Sequence, residues 1–152
     1  MTEALTLRRD DALGPDTLAM IGESEAELAA IYPPEVRSAF SPEELRASGV
    51  RMVVAHRCGR PVGCGGVAVL DGYGELKRIF VTRAARGTGV VQAILKHLEQ
   101  EARAEGLALM RLETGDASPE AIRAYERQGY VRRGPFGAYR ENGSSVFMEK
   151  AI

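Results

Sequence analysis

The chain has 152 residues, 45% of them apolar and 27% charged, with 20 basic side chains against 21 acidic for a net charge of −1. That is the composition of a soluble globular protein long enough to bury a core, expected as a single domain over 1–152. It excludes duplex nucleic acid as the main partner, because phosphate binding needs a basic excess or stripe; Arg127, Arg132, Arg133 and Arg140 read instead as a solvated face. No apolar run approaches the ~18–20 residues of a membrane span, and the start, "MTEALTLRRDD", has no apolar signal core, so no membrane partner and a cytoplasmic location are expected. Cys58 and Cys64 suit neither a disulfide framework nor a CxxC pair and are expected as buried thiols. With His56 and His97 far apart, no metal site is expected.

In chain order, Leu5 and Leu7 alternate with Thr6 and Arg8 as a first strand. From Pro15 to Ile31, Leu18, Ile21, Leu28 and Ile31 fall at helical intervals, and Pro33-Pro34 ends that helix. "SPEEL" opens a second helix with Ser41 as cap, Pro42 at the first position and Glu44 three residues after the cap; Gly49 closes it. Residues 51–57 and 61–70 form two strands about a Cys-Gly-Arg-Pro turn, and Gly63, Gly65 and Gly66 imply a bulge or a close backbone neighbour. "DGYG" turns into a third strand over 75–81, so the first half is an antiparallel meander. Val90, Val91, Ile94, Leu95, Leu98 and Ala102 then fit a helix over about 88–105. "LALMRLET" is a strand, and Ser118 opens a helix to about Gln128. "YVRR" and "SSVFMEK" are closing strands around "GPFGAYRENG". The order βααβββαβαββ implies an α/β, α+β mixed fold: a mostly antiparallel sheet of about seven strands, a central βαβ unit and helices on both faces.

The stretch "RAARGTGVVQAIL" sits between the third strand of the meander and the long helix. At such a junction the helix has unpaired N–H groups and a positive dipole end, both of which favour an anion. Gly87 and Gly89 would let a phosphate reach the backbone without meeting a Cβ, and Arg86 adds a charged donor, although a tight turn alone would also account for the glycines. A Walker A loop is excluded, since no Lys-Ser or Lys-Thr occurs. A dinucleotide fingerprint wants GxGxxG with an acid about 20 residues on; Gln92 stands at the third glycine while Glu113 ends the next strand, so spacing leaves that reading open and the meander counts against it.

The third pattern is R/Q-x-x-G-x-G/A, which Arg86-Gly87-Thr88-Gly89-Val90-Val91 matches except at its last place. With "ELKRIFV" before it and "SPEAIRAYERQGY" after, the whole chain resembles the GNAT superfamily of acyl-CoA-dependent N-acyltransferases, in a branch of small bacterial enzymes. The resemblance implies acetyl-CoA as cosubstrate, with no metal, held by Phe80, Val81, Arg86, Gly87, Thr88, Gly89, Val90, Val91, Ser118 and Tyr125. Val91 departs from the family's Gly or Ala, which implies a looser approach of the helix to the diphosphate. Ser118 replaces the common Asn, and a serine cap is a sufficient structural reason for it.

Acyl transfer from a thioester to an amine needs a base, donors for the oxygen that gains charge and help for the departing sulfur. An ammonium of pKa about 10.4 is about three units too protonated at neutral pH. Glu75 is the candidate base, here and by resemblance, where such a glutamate acts through water; pairing with Lys77 or Arg51 is its structural alternative. Tyr125 is the candidate acid toward the sulfur, or a core tyrosine on the Ala121-Ile122-Tyr125 stripe. Val81 acts through its backbone. Lys77 and Arg78 should leave their strand on opposite faces, either of them able to meet an acidic substrate or to be held in a salt bridge. The early helices and the loop over 135–144, with Phe136 and Tyr139, wall the acceptor side by resemblance. The expected partner is a small-molecule amine or amino acid, with a homodimer left open. The alternatives are a protein N-acetyltransferase and a non-catalytic acyl-CoA sensor.

Overall fold

The computed structural model describes residues 4–34 and 40–152, so the first three residues of the N-terminal stretch lie outside it. The elements follow the expected order: β1 (Thr6–Asp10), α1 (Pro15–Ile31), α2 (Pro42–Ala47), β2 (Arg51–Arg57), β3 (Arg60–Val69), β4 (Gly74–Val81), α3 (Val90–Ala104), β5 (Leu109–Gly115), α4 (Pro119–Arg127), β6 (Val131–Arg133) and β7 (Ser145–Ala151). The strands form one seven-stranded sheet in the order β1-β2-β3-β4-β5-β7-β6. Every neighbouring pair is antiparallel except β4 and β5, which α3 connects. A sheet with one parallel pair is not the parallel array a dinucleotide site requires, so that reading falls.

Two apolar layers flank the sheet. On one face α3 and α4 bury Val90, Ile94, Leu95, Leu98, Ala102, Ile122 and Tyr125 against Val53, Val67, Leu76 and Leu112. On the other, Met20, Ile21 and Leu45 of α1 and α2 pack on Met52, Val54, Cys64 and Phe80. Each large aliphatic side chain enclosed this way contributes about 1.5–3 kcal/mol.

Local chemistry explains most boundaries. The α2 capping box is present in full, with Glu44 N–H donating to Ser41 Oγ at 3.1 Å and Ser41 N–H to Glu44 Oε1 at 3.2 Å. Tyr32, before Pro33, is extended at φ −120° and ψ 138°, as a pre-proline residue must be. Cys58 and Gly59 both have positive φ, 51° and 72°, so a two-residue turn joins β2 to β3 and Arg60 already belongs to β3. Cys58 is exposed, against expectation; Cys64 is buried, its thiol pushed up to about 12 by burial.

The buried face of α1 also differs from the expected one. Thr17, Met20, Ile21 and Ser24 are buried, whereas Leu18 and Ile31 are 42% and 50% exposed. The Thr17 hydroxyl donates to Asp10 Oδ2 at 2.7 Å, which satisfies a polar group on the packed face. The apolar periodicity of α1 therefore does not mark its packed side; Leu28 and Ile31 line a cleft.

The β3 glycines have a direct cause. A Cβ on Gly63 would lie 2.8 Å from Phe80 O, and one on Gly65 would lie 2.5 Å from Ile79 Cδ1 and 2.9 Å from Ile94 Cγ2. The close seat of α3 on the sheet needs their absence. Opposite them β4 carries an extra residue: Cys64 pairs with Phe80 but Gly66 with Lys77, so two steps on β3 face three on β4. The bulge contains Arg78 in the left-handed region, φ 56°.

Candidate active site

The bulge turns β4 away from β5. Their pairing is confined to Gly74↔Met110 and Glu75↔Arg111, after which the strands diverge and a wedge opens in the sheet. The wedge is the main cleft, about 890 Å3, walled by Leu76, Ile79, Phe80 and Val81 of β4 and by Leu112, Glu113 and Thr114 of β5. Beyond the last pair, the β5-facing backbone groups of β4 have no ladder partner on that side.

One end of the cleft is the start of α3. Gly89 caps the helix at φ 90° and ψ 5°, and Gly87 has φ 76°. Because both glycines are left-handed, the helix begins at Val90 and not at Thr88. A Cβ added to either would meet nothing within 4 Å, so both face open space. The first amide in this turn with a backbone acceptor is that of Ala93, on Gly89 O at 3.2 Å. The amides over 87–92 form the positive end of a 15-residue helix beside that space.

Gly87, Gly89, Val90 and Val91 line the cleft, with Phe80, Val81, Arg86, Ser118 and Tyr125. Thr88 does not. Its hydroxyl donates to Ala85 O at 2.5 Å and accepts from Arg57 NH1 at 2.6 Å, which fixes the turn instead of facing the opening. Arg86 is directed across the cleft: Nε donates to Val81 O at 2.9 Å and NH2 pairs with Glu27 of α1 at 2.7 Å.

The other wall comes from α4. Ser118 holds the N-cap position but makes no side-chain cap bond, so capping does not explain the residue. Tyr125 is 7% exposed, edge-on to Tyr130 at 6.0 Å, and its hydroxyl bonds to no group among the described residues. Burial, with a smaller contribution from Glu113, pushes its phenol well above the ordinary value.

Glu75 stands apart from these residues. It is 4% exposed, does not line the cleft, accepts a hydrogen bond from Tyr139 Oη at 2.6 Å and forms an ion pair with Lys77 Nζ at 2.8 Å. Lys77 also donates to Tyr139 Oη at 3.1 Å and lies 4.1 Å from the Phe40 ring centroid. Arg51, the other expected partner of Glu75, pairs with Glu105 at 2.6 Å. Burial and the bond to Glu75 hold the Tyr139 phenol protonated. Lys77 and Arg78 do not diverge as strand alternation predicts: Arg78 Nε donates to Phe40 O at 2.9 Å, so both cations meet Phe40. The left-handed residue breaks the alternation.

The profile of the Acetyltransferase (GNAT) family matches residues 18–130. The chain belongs to the GNAT family. It is an acetyl-CoA-dependent N-acyltransferase. An IAA acetyltransferase of Azospirillum brasilense is 39% identical over 97% of this chain and 98% of its own. A Klebsiella pneumoniae structure assigned to the acyl-CoA N-acyltransferases superposes with TM-score 0.81 at 29% identity, covering 97% of both chains. An N-acetyltransferase of Thermoplasma acidophilum, solved with coenzyme A, has the same fold at 17% identity and TM-score 0.76, over 98% of this chain and 99% of that one.

The loop, the β4 bulge and the wedge come together here. Two residues outside the expected set, Glu27 and Tyr32, also border it. Glu27 pairs with Arg86, and Tyr32 crosses from α1 to accept from Ala117 N–H at 2.6 Å. Tyr139, read only as a wall, bonds to the candidate base. Glu27 and Tyr32 carry no local signal, because their partners lie 59 and 85 residues away. Among the described residues no helix is long and apolar enough to cross a membrane.

Proposed function

We propose that this chain is a single catalytic domain over 1–152 that transfers the acetyl group of acetyl-CoA to the amine of a small molecule. The observation that carries the reading is that the glycine-lined N-terminus of α3 and Tyr125, whose hydroxyl has no partner among the described residues, line one cleft. The amides over 87–92, with Gly87 and Gly89, suit a diphosphate, and Val91 limits how closely it can seat. Arg86 would add its guanidinium. Its pair with Glu27 has side chains 38% and 33% exposed, and such a pair contributes about 1 kcal/mol or less, so a more highly charged anion can displace the glutamate. Phe80, Val81, Val90 and the Ser118 hydroxyl would border the arm, and Thr88 acts by holding the turn.

Acetyl-CoA supplies the acyl group as a thioester. An N–C bond forms as the C–S bond breaks; of the two protons the ammonium loses, one neutralises the departing thiolate and the other leaves toward Glu75. Tyr139 Oη is the link by which the enclosed Glu75 carboxylate would receive that proton. The open backbone edge of β4 at Val81 would stabilise the oxygen that gains charge. Tyr125 would donate toward sulfur.

Thermal unfolding with acetyl-CoA, CoA, NAD and ATP in parallel tests the cosubstrate. At 100 times Kd a ligand of the native state adds about 2.7 kcal/mol. Acetyl-CoA and CoA are expected to stabilise and NAD to have no effect; stabilisation by NAD, or by nothing, would remove the assignment. Thiol release with a panel of small amines then tests the acceptor class, and release only with protein substrates would overturn it.

Glu75→Gln is expected to lower turnover about 100-fold at pH 7, within the range of general-base effects. The loss should shrink toward pH 9–10, where the acceptor amine is neutral without help. A deficit that stayed constant with pH would mean that Glu75 only supports Lys77 and Tyr139.

A further inference from the structure

We infer that the acceptor carries a carboxylate beside its amine, and that Arg78 receives it. This rests on the N-acyltransferase reading above and names the substrate class of that site. Arg78 lines the cleft, and its side chain is 5% exposed. Nε is committed to Phe40 O at 2.9 Å, and NH2 pairs with Glu25 of α1. NH1 is buried with no partner among the described residues. A guanidinium cannot shed its proton, so this enclosed N–H keeps its full demand for an acceptor. The neighbouring cations differ: Lys77 is held by Glu75 and Tyr139, and Arg86 by Val81 O and Glu27.

The chemistry that fits is a planar carboxylate. It takes two guanidinium N–H groups side by side, here NH1 and NH2, the second exchanged from Glu25. Glu25 is 42% exposed, so water receives its carboxylate when it turns outward and opens that edge of the guanidinium. Glu27 and Glu113 also line the cleft, which disfavours a dianion and favours a single negative charge. The bulge that fixes Arg78 also opens the wedge, so the carboxylate contact and the transfer site are positioned by one backbone feature. The acceptors are amino acids or other amino-carboxylates.

The test is thiol release by the full chain with acetyl-CoA and three matched sets: the L-amino acids, their carboxamides and the corresponding decarboxylated amines. At least one acid should be acetylated about 100-fold more efficiently, in kcat/KM, than its amide, as expected of a site built to pair a polar group. Arg78→Lys should remove most of that preference while acetyl-CoA still raises the melting temperature as in the wild type. Glu25→Gln, on a half-exposed helix position, should lower KM for the acid several-fold and leave KM for acetyl-CoA unchanged. It reads the same contact if Arg78→Lys does not fold. Equal rates on acids and amides, or preference for decarboxylated amines, would overturn this inference and leave the N-acyltransferase reading standing. Thiol release from none of the three sets would remove both.

Discussion

Gly89→Asp is expected to abolish stabilisation by acetyl-CoA while the protein still folds. Gly89 has φ 90° and faces open space, so a side chain there would project into the cradle without striking protein. Its carboxylate would sit at the positive end of α3, take up the amides a diphosphate would use and repel the diphosphate itself. The expected result is loss of the whole acetyl-CoA shift, corresponding to at least 100-fold weaker binding. A left-handed residue other than glycine costs about 1–2 kcal/mol, so strain alone must be separated from the loss of the site. Gly72, at φ 87° in the β3–β4 turn and likewise without neighbours, is the control. Gly72→Asp should lower the melting temperature comparably and retain the acetyl-CoA response. Wild-type affinity in a folded Gly89→Asp protein would refute the loop assignment.

Tyr125→Phe should lower kcat about 10–100-fold, leave KM for acetyl-CoA within about threefold and leave the melting temperature unchanged. The magnitude is that of a hydrogen bond to a group acquiring charge, about 1.5–3 kcal/mol. Stability should hold because the hydroxyl has no partner to lose among the described residues, while the ring keeps its place against Tyr130. Burial raises the phenol above its ordinary pKa of about 10, and a departing thiol has a pKa of about 8.5, so full proton transfer to sulfur runs uphill. Tyr125 is therefore a hydrogen-bond donor to the developing thiolate more than a source of a free proton. An unchanged kcat would remove this role and leave a core tyrosine.

The order of elements was legible because turn chemistry and period were unambiguous. The Ser41-Pro42 cap, the Cys58-Gly59 turn and the α3 stripe each have a short-range cause. The face of α1 was not legible. Two of its apolar residues, Leu18 and Ile31, lie outside the packed side, while Thr17 and Ser24 are buried on it beside Met20 and Ile21. Polar residues satisfied by tertiary contacts, such as Thr17 on Asp10, cannot be told from solvent-facing ones by periodicity. The glycine loop was legible because left-handed geometry leaves few choices of residue, but Thr88 was not, since its partner Arg57 comes from another strand. Arg78 shows the limit most clearly. A left-handed arginine leaves no mark in its own sequence, so alternation set it opposite Lys77, whereas both meet Phe40. The indirect signal was the Gly65-Gly66 pair opposite, which announced an irregularity without saying which strand held it.

The opening between β4 and β5 is made by one extra residue within a strand. Its walls are therefore held by ladder hydrogen bonds on their outer sides, β4 against β3 and β5 against β7. Ordering a flexible segment costs about 1–2 kcal/mol per residue in backbone entropy, and a wall already held by a sheet incurs none of it on binding. Affinity for a long, flexible cosubstrate can then derive from a preorganised groove, and the ligand's own loss of freedom becomes the main entropic opposition. Changes that relax the bulge would for that reason weaken binding without removing any group that touches the ligand.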